Sequence, residues 1–291
     1  MSFFEEAFEA AGNGLVSAGE GMMEAGIDVW KACADSVLRY CTQDPTGMGT
    51  VWTNVTRLYD VFLGIGASLV SLYFVIGFLN ESIDIRNNFT LENTFRFFIR
   101  FALAASALTN ALSLIQSFMR ISALLAGEVG LTVTTNYSAN DIFDPIVDGA
   151  EGAEMLGVGF LCLIGGLIGM MVIAVSGVLI ILSVLTRFFK IFMCIPFAPP
   201  ALASFAGGQG LSQSGISWIK AFAGYCLEAV VIALALMLAF SFFASGNQFF
   251  NVERDGFSGV VLGILNICMP MITAVACVKG AEGILRTTLG L

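Results

Sequence analysis

The chain has no histidine, which removes Ser-His-Asp and Cys-His catalysis and every imidazole metal site. It has no Cys-x-x-Cys pair among its seven cysteines. Cys162, Cys194, Cys226, Cys268 and Cys277 fall in apolar runs, where cysteine behaves as a small hydrophobe. Cys33 and Cys41 could bridge only if the helix between them were broken. Gly207-Gly208-Gln209-Gly210 lacks the Lys-Ser/Thr that completes a phosphate-binding loop. Asp141, Asp144 and Asp148 lack the glycine and closing glutamate of a calcium loop and read as solvated charge. These absences point away from an enzyme, and no cofactor or metal is implied. A basic stripe is missing too, with a net charge of −9, so tight nucleic-acid binding is not expected. The start, Met1-Ser2-Phe3-Phe4-Glu5-Glu6, is acidic where a signal peptide is basic, which argues against a cleavable leader.

Charge of either sign is scarce. Only 12% of residues are charged and 57% are hydrophobic, with mean hydropathy +0.87. A soluble domain carries about 25% charged residues, and this chain has too little polar surface to cover one. A bilayer resolves the mismatch. The expected fold is therefore all-α: a polytopic membrane protein of about five transmembrane helices with a Pro-broken segment, preceded by amphipathic helices.

Residues 1–57 form that amphipathic region. Phe4, Phe8, Ala11 and Leu15 share one helical face, and Gly19-Glu20-Gly21 reads as a break. Met23, Ile27, Trp30, Ala34, Val37 and Cys41 then step by threes and fours, opposite Glu24, Asp28, Lys31 and Asp35. Two readings fit: a helix packed on spans or neighbouring subunits, or one lying in the membrane interface with Trp30 as anchor. Gln43 to Gly47 reads as a turn.

Residues 58–120 hold the first two spans, about 58–79 and 95–119, each long enough for about 30 Å of hydrocarbon. Residues 121–154 form an acidic loop without Lys or Arg. Residues 155–291 make the C-terminal membrane region. Its first span, about 155–185, is long for one crossing and must tilt or project. Gly165, Gly169 and Gly177 line one face there, with the spacing that lets helix backbones approach. Pro196, Pro199 and Pro200 interrupt 187–206; because proline removes helix donors, the expectation is a re-entrant or interfacial hairpin. Spans at about 221–244 and 257–278 follow. Asn110 and Asn266 read as hydrogen bonders between helices. Glu228 is the acid deepest within a span, either a proton or cation handler or a structural partner of Lys190 or Arg187.

The positive charges set a topology. If 187–206 does not cross, eight Lys and Arg, including Arg187, Lys190, Lys220, Lys279 and Arg286, lie inside and five outside. The basic-free run from Ile121 to Thr186 then belongs outside. This predicts an external N-terminus and a cytoplasmic C-terminus.

The block Arg187-Phe188-Phe189-Lys190 through Pro196, Pro199 and Pro200, followed by Ser217-Trp218-Ile219-Lys220, resembles the TrbL-like polytopic inner-membrane subunit of type IV secretion and conjugation machines, in the form found on Gram-positive conjugative elements. Lys190, Pro196, Pro199 and Trp218 occupy that family's basic, Pro-broken and Trp positions. The resemblance implies a bacterial cytoplasmic membrane protein and a homo-oligomeric channel subunit. Its implied partners are other secretion subunits, separate ATPases, membrane lipid, and transient single-stranded DNA with attached relaxase. Two other functions stand beside it: a small ion or solute transporter using Glu228 and the Pro-broken segment, and a scaffold of another envelope complex.

Overall fold

The computed structural model describes residues 2–84, 91–130, 153–208, 210–244, 250 and 256–290. Among them there is no strand. Six helices of 32 to 42 residues dominate: α1 (Ser2–Thr42), α2 (Gly49–Asp84), α3 (Leu91–Gly130), α4 (Ala153–Cys194), α6 (Gln213–Ala244) and α7 (Gly256–Leu289). A short helix, α5 (Ala198–Ala203), lies between α4 and α6 in the chain. Among the described residues, five stretches are long and apolar enough to cross a membrane: Gly49–Leu79, Phe98–Val129, Glu154–Gly207, Gln213–Ala239 and Ser258–Thr288. The protein is an all-α, multi-pass membrane protein.

Several local expectations change. α1 runs unbroken through Gly19-Glu20-Gly21, because Gly19 is a packing contact rather than a hinge. Cys33 and Cys41 thus lie on one intact helix, about 12 Å apart along its axis, and both are free thiols. α3 continues to Gly130 with Ser122, Ala123 and Ala126 buried, so residues 121–130 of the expected acidic loop are helical; its stretch 131–152 lies outside the described residues. Asp44 caps the turn after α1, its carboxylate accepting from Thr46 N at 2.9 Å. Asn110 donates back to Ser106 O of its own helix at 2.9 Å. Asn266 instead holds both backbone groups of Phe250, at 3.0 and 2.9 Å.

The chain divides into two units, with α3, α4, α6 and α7 contributing to both. The first comprises Met1–Cys41, Gly127–Val184 and Val231–Ala281. Here α1 lies parallel to α4. A Cβ on Gly12 would sit 2.6 Å from Met155 O, one on Gly26 3.0 Å from Met170 Cα, and one on Gly177 3.0 Å from Cys33 Sγ. Gly19 meets the Cys162 carbonyl and Gly166 meets the Gly19 carbonyl. Glycines seven apart (12, 19, 26) keep one face in line over successive pairs of turns. Backbone then touches backbone, and Val16, Met23, Ile27, Trp30 and Val37 are buried alongside. Trp30 is 1% exposed, close to Gly177. It is a packing residue, so α1 is the packed helix of the two readings and not an interfacial one.

The second unit comprises Thr42–Ala126, Leu185–Val230 and Glu282–Leu291. Its centre is the contact of α2 with the Pro-rich segment. A Cβ on Gly66 would lie 2.7 Å from Pro199 Cβ and 2.9 Å from Pro199 C. Val70, Ala104, Leu108, Ala203 and Ala206 form the buried cluster there, and Phe62 meets Phe197 edge-on at 5.3 Å. The outer sides of α2 and α3 expose Leu58, Val61, Ile65, Leu72, Val75, Leu103 and Leu114, as lipid-facing helices do.

Candidate functional site

The residues singled out in 187–228 come together in the second unit. The Pro-rich segment interrupts α4, as its prolines predict. It is a 3₁₀ turn (Ile195–Phe197), α5, and a second 3₁₀ turn (Ser204–Gly207). The prolines sit in the first turns of these short helices, where the missing N–H costs nothing. The deficit falls upstream. The N–H of Ala198 turns to Ile195 O in a 3₁₀ bond, which frees the Cys194 carbonyl from its usual i+4 donor. Trp218 fills the gap, its indole Nε1 donating to Cys194 O at 3.1 Å. The indole also stacks on Phe222, with 5.3 Å between centroids and 7° between planes. A second tie is Ser204, which donates to Ala201 O at 2.6 Å and accepts from Gly215 N at 3.0 Å. The start of α6 is thereby fixed to the break in α4 by two side chains.

One turn before the break, α4 presents Arg187 and Lys190 three residues apart on one face. Arg187 is 1% exposed. Its Nε donates to Tyr225 O at 3.0 Å and its Nη2 to Cys226 O at 3.3 Å. Lys190 Nζ donates to Glu282 Oε2 at 2.6 Å and stands 3.8 Å from Glu228 Oε1. Arg286 Nη2 donates to the other Glu282 oxygen at 2.9 Å, and the Lys190 ammonium lies 5.8 Å from the Tyr225 ring centre. Lys190 thus joins three helices, α4, α6 and α7, through two carboxylates.

Three cations, Arg187, Lys190 and Arg286, accompany two carboxylates, Glu228 and Glu282. A buried carboxylate is tolerated where a cation and hydrogen bonds compensate its lost hydration, and Glu228 is only 6% exposed. Beside it opens a cavity of about 180 Å³ lined by Ala221, Gly224, Tyr225, Glu228, Glu282, Leu285 and Arg286. Among the described residues no cluster of three or more His, Cys, Asp or Glu could hold a metal ion. Outside the spans, burial in α1 pushes the Cys33 thiol above its ordinary pKa, away from thiolate reactivity.

Lys190, Pro196, Pro199, Pro200, Trp218 and Glu228 all belong to this one constellation. Gly165, Gly169 and Gly177 belong to the first unit. Gly165 meets Ile264, and Gly169 meets Met23 Sδ at 2.7 Å and Ile264 Cγ2 at 3.5 Å. These neighbours are ends of flexible side chains, unlike the backbone contacts at Gly12, Gly19 and Gly166. Sequence reasoning missed Glu282 and Tyr225. The signal for Glu282 is scarcity, since it is the single acid in α7, just as Glu228 is the single acid in α6. No protein-family model, no curated protein and no solved structure matches the chain.

Proposed function

We propose that this protein is a structural channel subunit of a conjugative type IV secretion system, supporting passage of single-stranded DNA with attached relaxase across the bacterial cytoplasmic membrane. The observation that carries the reading is the locked block 187–228. Its basic residues, prolines and Trp218 are tied to one another by Trp218–Cys194, Ser204–Gly215 and Lys190–Glu282. The buried Glu228 and the part-exposed Glu282 both face cations, the arrangement of a rigid scaffold rather than of a site that loads and releases an ion. In this reading the protein self-assembles, docks other secretion subunits, and draws energy from separate ATPases. Its N-terminus faces outward and its C-terminus the cytoplasm.

Orientation is tested by a cysteine at Ser138, in a background without native cysteines. It should react with a membrane-impermeant thiol reagent in intact cells; labelling only after lysis contradicts the external loop. Function is tested by mating frequency at matched membrane abundance. Pro196, Pro199 and Pro200 all changed to Ala restore three helix donors, which favours a continuous helix and displaces the Trp218 tie. Transfer should collapse while insertion persists. Wild-type transfer from that variant would overturn the secretion reading.

The cavity beside Glu228 favours a second reading, a small ion or solute transporter. It predicts the opposite ranking, with Glu228→Gln more damaging than the proline variant.

A further inference from the structure

The cavity between α6 and α7 in the second unit has two unlike walls. Ala221 and Leu285 make an apolar one, and Tyr225, Glu228, Glu282 and Arg286 make a polar one. The polar groups are graded by depth. The side chain of Glu228 is 8% exposed, that of Glu282 34% and that of Arg286 61%, so the carboxylates lie inside and the guanidinium stands at the mouth.

Glu228 is the group with bonding capacity left over. Its carboxylate stands 3.8 Å from Lys190 Nζ, beyond hydrogen-bond length. A buried charge is tolerated when donors occupy its lone pairs, and the cavity is the side from which a donor can reach it. Glu282 differs, since Lys190 and Arg286 each donate to one of its oxygens, at 2.6 and 2.9 Å. Arg286 uses Nη2 for that bond, which leaves the other donors of its planar fork for a ligand at the mouth.

Charge, size and position together select the ligand. Arg187, Lys190 and Arg286 outnumber Glu228 and Glu282, so an anion balances the group. An ammonium would instead set another cation beside Lys190. The inner end therefore calls for uncharged donors, and hydroxyls supply them. The volume of about 180 Å³ exceeds the about 150 Å³ that admits benzene, and glycerol has as many heavy atoms as benzene. The mouth lies where the start of α6 meets the end of α7, with Lys220 Nζ 3.9 Å from the Cβ position of Gly290. Lys220 and Arg286 are exposed there, as basic side chains are at headgroup level. Basic pockets between spans at that level bind anionic headgroups.

We propose that the cavity holds the headgroup of an anionic phospholipid whose phosphodiester carries a glycerol. The phosphate sits on Arg286, and the glycerol hydroxyls donate to Glu228. A hydroxylated phosphate ester also exists in soluble form; the level of the mouth selects the lipid as its source. The assignment goes beyond the proposed function and uses only the second unit and its spans, so lipid binding and mating can fail separately.

The test is native mass spectrometry of the full chain, purified in detergent, stripped of lipid and titrated with phospholipids of identical acyl chains. Phosphatidylglycerol should be retained in equal number with the chain. Phosphatidylmethanol has the same charge and no hydroxyl. It, phosphatidylethanolamine and phosphatidylcholine should each bind at least about tenfold more weakly, the scale of losing one hydrogen bond to a charged group. Ala221→Leu fills the cavity without changing a charge, and it and Arg286→Gln should weaken phosphatidylglycerol by a similar factor. Arg286→Lys should restore most of the binding. Lys279→Gln, exposed on α7 and outside the cavity lining, should leave it unchanged. Equal retention of phosphatidylmethanol or phosphatidylcholine overturns the headgroup assignment. Equal loss in Lys279→Gln reduces the binding to bulk charge attraction and overturns it too. Soluble glycerol phosphate that binds the stripped protein where the lipid does not overturns the lipid source. The lipid comparison is made on the unaltered chain, so it decides even where a variant misfolds.

Discussion

Lys190→Met is expected to destabilise the α4–α6–α7 junction, by less than the about 3–5 kcal/mol for removing one partner of a fully buried ion pair, because Lys190 and Glu282 are 21% and 34% exposed. Lys190 is the hub. Its ammonium touches Glu282 at 2.6 Å and faces Glu228 at 3.8 Å. Glu282 keeps Arg286 when Lys190 is lost, whereas Glu228, 8% exposed at its side chain, loses its nearest cation. The cost therefore concentrates on Glu228. Adding Glu228→Gln to Lys190→Met should recover most of it, because an uncharged amide needs no counter-charge. The measurement is thermal or SDS unfolding of the four proteins of this double-mutant cycle in one detergent. A Lys190→Met protein as stable as the parent would show that the network carries no stability. A double variant no better than the single one would place the cost at Glu282.

The second large effect lies at the α1–α4 contact and has opposite signs a few residues apart along α1. Gly19→Ala and Gly166→Ala each put a Cβ against a backbone carbonyl of the partner helix. Backbone cannot swing aside as a side-chain end can, so the loss should exceed the about 1–3 kcal/mol of ordinary overpacking. Gly14 and Gly21 have nothing within 4 Å of a built Cβ. There alanine removes only the poor helix propensity of glycine and should stabilise by up to about 1 kcal/mol. Limited proteolysis in detergent reads the difference: α1 should be cut rapidly in the first pair and more slowly than wild type in the second. Equal protection in both pairs would mean α1 does not dock on α4 through this face. Gly165→Ala and Gly169→Ala should fall between the two, since Ile264 and Met23 can re-orient.

These contrasts show which parts of the molecule were legible in the sequence. Composition and apolar run lengths were enough for the five spans, because the bilayer makes hydropathy a constraint on every residue of a span. The gathering of Lys190 and Glu228 was legible for a related reason: few charges in an apolar region must find each other. Pairing between distant segments was harder. The Gly165/Gly169 spacing drew attention to α4, yet the tightest contacts use Gly12 and Gly19, whose spacing of seven is visible only when α1 is read as continuous. Gly19-Glu20-Gly21 looked like a break because local propensity penalises two close glycines. Packing against the Cys162 carbonyl outweighs that penalty. The break made by the Pro segment was legible, because proline cannot extend α4; the short helices that its prolines start were not.

The parallel contact of α1 with α4 also sets a clock on synthesis. Gly19 meets Cys162, a partner encoded 143 residues later. At about 5–20 residues per second this is a delay of about 7–30 s. Throughout that interval Met23, Ile27, Trp30 and Val37 have no α4 to cover them, although α2 and α3 have already left the ribosome. The nascent chain must park this helix, on the membrane surface or in the hold of a chaperone, until its groove is made.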